Sequence, residues 1–126
     1  MTGPEEYDQD ATADADIPSS RPERVRAYYR ALDTHDYDLL QPLLHPSFVH
    51  DRPELTLDGR ERFVAFMREE RPRTDTRHLL AALYAHPDGL AAQGRLVADE
   101  TVLFRFVDVF SFEGAAIARI RTYTDR

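Results

Sequence analysis

Cysteine is absent from the 126 residues. Disulfides and thiolate-held metals are thereby excluded. Lysine, asparagine and tryptophan are absent too, so all 16 basic residues are arginine. That bias resembles proteins of high-GC, salt-loving microbes and bears on source rather than function. No apolar run approaches the roughly 20 residues of a membrane-spanning helix. The stretch MTGPEEYDQD has neither the basic nor the apolar region of a signal peptide. A cytoplasmic protein with no membrane partner is expected. No GxSxG, GxGxxG or phosphate-loop pattern occurs, so serine acyl transfer and dinucleotide chemistry find no support. The five histidines (His35, His45, His50, His78 and His86) show no HExxH spacing and no two-histidine-carboxylate pattern on one element. No metal and no cofactor are expected.

What is present is one domain's worth of chain, with 42% hydrophobic residues to close a core. The net charge of −7 is unevenly placed. Glu5, Glu6, Asp8, Asp10, Asp14 and Asp16 fall within residues 1–20, which hold no base. Residues 1–19 therefore read as a disordered, solvated acidic arm, and 20–126 as the domain. The domain is nearly balanced and has no basic groove with interleaved aromatics, so nucleic acid is not expected as a partner.

Ser20-Arg21-Pro22-Glu23 fits a capping box with proline in the first turn. Val25, Tyr28, Tyr29 and Leu32 then recur at helical spacing, which predicts a helix ending near Asp33–His35. Asp36 is the expected cap of a shorter helix through Leu44, kinked or cut short by Pro42 and closed by Pro46. FVHDR (48–52) reads as a short strand stopped by Pro53. Asp58-Gly59-Arg60-Glu61 is a third capping signal, ahead of the stripe Phe63, Phe66, Met67. From there the chain turns extended. Residues 76–85, 90–97, 100–112 and 117–124 read as strands, separated by turn chemistry at 86–89, 98–99 and 113–114. Gly94 marks a bulge or bend. Helices followed by consecutive strands imply an α+β layout, with helices on one face of an antiparallel sheet.

The stretch RFVDVF poses a chemical problem. Alternation puts Val102, Phe104, Phe106, Asp108, Phe110 and Phe112 on one face. A carboxylate in a row of phenylalanines is costly to keep charged, so its pKa is expected to rise. The bland alternative is a structural carboxylate, paired with a tyrosine hydroxyl or with Arg119 or Arg121 of the next strand.

The element order, with YYRALDTHDYDLL, FVHDRPELTLDGRERFVAFM and FVDVFSFEGAAIARIRTYTD, resembles the nuclear transport factor 2-like superfamily. Within it the SnoaL-like and ketosteroid-isomerase-like branch fits best. The resemblance covers residues 22–125 and implies a cystatin-like α+β cone, a curved antiparallel sheet wrapped around N-terminal helices. It implies a tyrosine on the first helix that donates to the substrate oxygen, matched by Tyr28. It implies a base aspartate on the short strand just before proline, matched by Asp51 in VHDRP. It also implies a second aspartate in a pattern like VDVF, matched by Asp108. In that branch this acid is held neutral by an apolar site so that it donates a hydrogen bond. The polyketide-cyclase members use the same position as the acid/base itself. One departure is Met67, where the isomerases place a supporting tyrosine.

Two functions follow as expectations. One is an enzyme that moves a proton next to a carbonyl of a small hydrophobic molecule, an isomerase or cyclase. Asp51 or Asp108 takes the proton, Tyr28 and neutral Asp108 hold the oxygen, and Phe48, Phe66, Met67, Phe104, Phe106 and Phe110 line the pocket. The other is a non-catalytic small-molecule-binding or dimeric assembly module of the same fold. A pocket sealed by Phe66, Met67 and Phe104 favours the module; an open one reached by both aspartates favours the enzyme. Epoxide hydrolysis ranks lower, because it needs an arginine between two carboxylates and Arg105 faces away from Asp108. A homodimer is expected through the face carrying Leu103, Arg105, Val107 and Val109.

Overall fold

The structure is a computed structural model that describes residues 17–126. The acidic residues Glu5 to Asp16, and most of the expected arm, lie outside the described residues. Ile17 packs against the core, and the Pro18 carbonyl accepts from Arg24 Nε at 2.8 Å.

Helix α1 spans Arg21–Thr34, with the Ser20 side chain accepting from the Glu23 amide. Its stripe Val25, Tyr28, Tyr29 and Leu32 is buried. Helix α2, Tyr37–Leu43, is capped by Asp36 and holds Pro42 near its end. Pro42 therefore shortens rather than kinks it. Strand β1 (Leu44–Arg52) begins four residues before the expected start and contains Pro46. Its pairing skips between Leu44 and Val49, so the missing amide of Pro46 falls where no ladder needs it.

Strand β2 (Leu55–Asp58) was not expected, since LTLD is too short to show a period. It folds back on β1. Helix α3 (Arg60–Glu69) is entered through Gly59 at φ 102°, with no side-chain cap bond. Asp58 therefore does not cap; it ends β2, opposite Val49. The last four strands, β3 (Arg77–His86), β4 (Gly89–Ala98), β5 (Thr101–Glu113) and β6 (Ala116–Thr124), lie within two residues of the expected spans.

The six strands form one curved, open sheet in the order β2-β1-β6-β5-β4-β3. Every neighbouring pair is antiparallel except β1 with β6. The three helices cover its concave face over a core that includes Phe48, Phe63, Phe110, Ile117 and Ile120. Bulges add the curvature. The β3–β4 register shifts between Leu80 and Ala82, opposite Gly94. A Cβ on Gly94 would collide with the Leu79 carbonyl oxygen and press on the Phe106 ring. The register of β4 with β5 shifts beside Leu103. Strict alternation fails there: Leu103 and Phe104 both line the cavity described below, and Val102 is exposed.

Candidate functional site

A cavity of about 250 Å³ opens between the helices and the concave face. Asp108 lies on its wall and is only 6% exposed. Its position follows from register. Asp108 pairs with Thr122 across β5–β6, and Ala92 flanks it on β4. Phe106 and Phe110 stand two residues away on the same face, both buried.

Two hydroxyls hold the carboxyl. Tyr29 donates to Oδ2 at 2.5 Å, and Thr122 donates to Oδ1 at 2.5 Å. Burial pushes the Asp108 pKa up, against the opposing pull of the Thr122 and Tyr29 bonds and the nearby His78. Desolvation outweighs two short hydrogen bonds because no arginine among the described residues pairs with the group. Arg119 and Arg121, weighed as partners for Asp108, point to the other face. They contact Asp51 instead, at 2.7 Å and 3.8 Å.

Asp51 is therefore not brought into the cavity. Its neighbour His50 faces inward, buried, and lines the wall. Strand alternation turns Asp51 outward, where the Arg119 bond, helped by Thr56, lowers its pKa against the opposing effect of burial. Tyr28 does line the cavity, with its pKa raised by burial and by the Asp108 charge. Its hydroxyl has no hydrogen bond to protein among the described residues, whereas the adjacent Tyr29 holds the carboxyl. Met67, Phe104 and Phe106 line the cavity; Phe48, Phe66 and Phe110 do not. Phe48 and Phe110 are fully buried core. Phe66 lies under the guanidinium groups of Arg52 and Arg62.

Residue patterns alone missed Tyr29, Thr122, His50 and His78. His50 Nε2 lies 2.9 Å from Thr122 Oγ1. With Asp108 ionised, the chain runs from His50 Nε2–H to Thr122 and from Thr122 O–H to Asp108. Burial, aided by the charge of Arg52, lowers the His50 pKa to about 3. This histidine is a neutral hydrogen-bonding group rather than a cation. His78 stands at the start of β3 with Nδ1 2.6 Å from Asp33 Oδ1. The other Asp33 oxygen accepts the His78 amide at 3.0 Å. A carboxylate only accepts, so Nδ1 carries a proton and donates it to Asp33. The ring packs on Tyr29 and Phe106 and lines the same cavity. The one available signal was Asp33 at the end of α1, but nothing in the sequence pairs it with a residue 45 positions on.

Chemically, the site offers one buried carboxyl of raised pKa, a free phenol and an oriented imidazole. Arg105, weighed for epoxide opening, bonds Asp125 on the outer face.

Comparison with solved structures places this geometry. A candidate ketosteroid isomerase from Kribbella flavida superposes with TM-score 0.73 at 16% identity, over 82% of this chain and 76% of that one. A candidate polyketide cyclase from Sinorhizobium meliloti gives 0.71 at 14%, over 86% and 96%. An epoxide hydrolase from M. tuberculosis gives 0.70 at 20%, over 82% and 80%. At these identities the likeness shows the fold alone. No curated protein matches the chain. Residues 25–120 match the SnoaL-like domain, and the chain belongs to that family.

Proposed function

We propose that the protein moves a proton next to a carbonyl of a small hydrophobic molecule, as an isomerase or cyclase, with Asp108 as the base. The observation that carries this reading is a single buried carboxyl of raised pKa on the wall of a cavity, held by two hydroxyls and in salt bridge with no arginine among the described residues. Such a group gains driving force for taking a proton. The Asp108 carboxylate takes a proton from the carbon next to the carbonyl, and negative charge moves to the carbonyl oxygen. Tyr28, with its free hydroxyl, donates to that oxygen. Protonated Asp108 then returns the proton to a second carbon, so the reaction is redox-neutral and needs no cofactor. His78, oriented by Asp33, is a second hydrogen-bonding group in the same cavity. The volume of about 250 Å³ lies below the 300–1,000 Å³ of drug-sized sites, which argues for a substrate smaller than a steroid.

The test is isomerisation of cyclohex-3-enone to its conjugated isomer, followed by ultraviolet absorbance. Asp108→Asn is expected to lose about 10²–10⁴-fold. A wild-type rate no faster than buffer, or an Asp108→Asn rate equal to wild type, overturns the reading. One observation favours the alternative of a non-catalytic binder: Asp51 does not reach the cavity, so only one of the two aspartates does. We further propose a homodimer through the outer sheet face, where Tyr84, Val109 and Tyr123 are exposed.

A further inference from the structure

Four arginines, Arg52, Arg71, Arg73 and Arg126, line the mouth of the cavity, with Glu54 as the one acidic residue among them. This cationic rim sits on a protein whose net charge is −7. Arg73 is matched by Asp75 at 2.8 Å. Glu54 lies 3.3 Å from Arg52 Nε and 4.0 Å from Arg126, so one carboxylate is shared by two guanidinium groups. Arg71 pairs with no carboxylate among the described residues. It donates to the Leu32 carbonyl at 3.1 Å and to the Tyr37 hydroxyl at 3.2 Å. The Nε atoms of Arg52 and Arg71 are both buried and make no hydrogen bond among the described residues, although Arg52 Nε faces Glu54 out of line at 3.3 Å.

A partly buried guanidinium without a counter-charge is costly unless something supplies the charge. The Leu32 carbonyl, in the last turn of α1, satisfies one donor of Arg71 and leaves the net charge in place. Arg52 and Arg71 line the same cavity as the Tyr28 ring. The same cavity wall holds the buried Asp108 and His50, joined through Thr122, and His50 is neutral. The cavity is thus polarised, cationic at the mouth and uncharged or anionic within.

We propose that the substrate carries an anionic head, a carboxylate, held at the mouth by Arg52 and Arg71, with its carbonyl-bearing body directed at Asp108. The planar guanidinium fork matches a carboxylate in two-point contact, which also fixes the depth of the body in the cavity. Arg126, over the Phe104 ring at 4.2 Å, closes the rim from the end of the chain. A keto acid smaller than a steroid fits this description.

The inference rests on the reading above in taking this cavity for the substrate site, and its readout is binding rather than turnover. Calorimetry compares 4-oxocyclohexanecarboxylate with its carboxamide, equal in shape and different in charge. On wild-type protein the carboxylate is expected to bind at least about tenfold tighter, with the advantage shrinking as salt rises. Arg52→Gln and Arg71→Gln are each expected to reduce that advantage about fivefold or more, with a much smaller loss for the carboxamide. Arg30→Gln, an exposed arginine on α1, controls for general charge. Equal binding of the two probes, no binding of the carboxylate, or equal losses for both probes in the arginine variants overturns the proposal. Because Arg71 also ties the turn after α3 to α1 and α2, the wild-type comparison decides if that variant fails to fold. A carboxylate-selective protein that fails the enone assay refutes the catalytic reading and leaves this one standing.

Discussion

Asp108 concentrates the physical chemistry of the molecule. Its raised pKa means that the folded state holds the proton more tightly than the unfolded chain does. This contribution to stability is complete below the unfolded carboxyl value near 4 and is lost as pH rises through the higher folded value. Asp108→Asn is therefore expected to flatten the fall in stability above pH 4, seen in urea melts at several pH values. His50 works in the opposite sense. Its folded pKa of about 3 lies below the unfolded 6.5, so stability is present above pH 6.5 and drains away as pH falls towards 3. The gap corresponds to about 5 kcal/mol. His50→Gln, which does not titrate, is expected to lose correspondingly less stability between pH 7 and 3 than wild type. Asp51 supplies the contrast. Its partners Arg119 and Arg121 are half-exposed, so Asp51→Asn is expected to change stability by less than about 1 kcal/mol and the enone rate by less than about twofold. The chemical oddity of Asp108 was legible, because a carboxyl among phenylalanines violates a local rule. The partner hydroxyls were not, because Tyr28 and Tyr29 share the buried face of α1 and only the crossing of helix and sheet decides which one meets Asp108.

At the level of elements, the caps and periodicities carried most of the information. Ser20 and Asp36 bond the amides that their positions demand. Asp58 looked equally suitable and does not cap, because pairing with β1 holds it in β2 and leaves Gly59 to turn the chain. What alternation alone could not supply was the irregularity of the sheet. Each register shift costs one residue of phase, which is why Val102 emerges into solvent while Leu103 joins Phe104 at the cavity. Gly94 was a readable sign of such a place. It admits the Leu79 carbonyl and supports the Phe106 ring that walls the cavity. Gly94→Ala is expected to destabilise by about 1–3 kcal/mol, read by urea denaturation, through overpacking against backbone that has nowhere to move.

Over the whole molecule, the fold is set by two segregated patterns, helical stripes first and extended runs after. This order let the cone be anticipated without the details of register. Function was less legible, because the site draws Tyr29 from α1, His50 from β1, His78 from β3, Asp108 from β5 and Thr122 from β6. No linear motif spans such a set. Outside the cavity, the exposed Tyr84, Val109 and Tyr123 lead to the expectation of a dimer in sedimentation at micromolar concentration, and a monomer there would remove that proposal. The account as a whole depends on how one carboxyl holds its proton inside the cone. Carbon-13 NMR of the Asp108 carboxyl across pH, assigned with Asp108→Asn, measures this directly. A midpoint clearly above the free aspartate value of about 4 is the result expected; a midpoint at or below it contradicts the account.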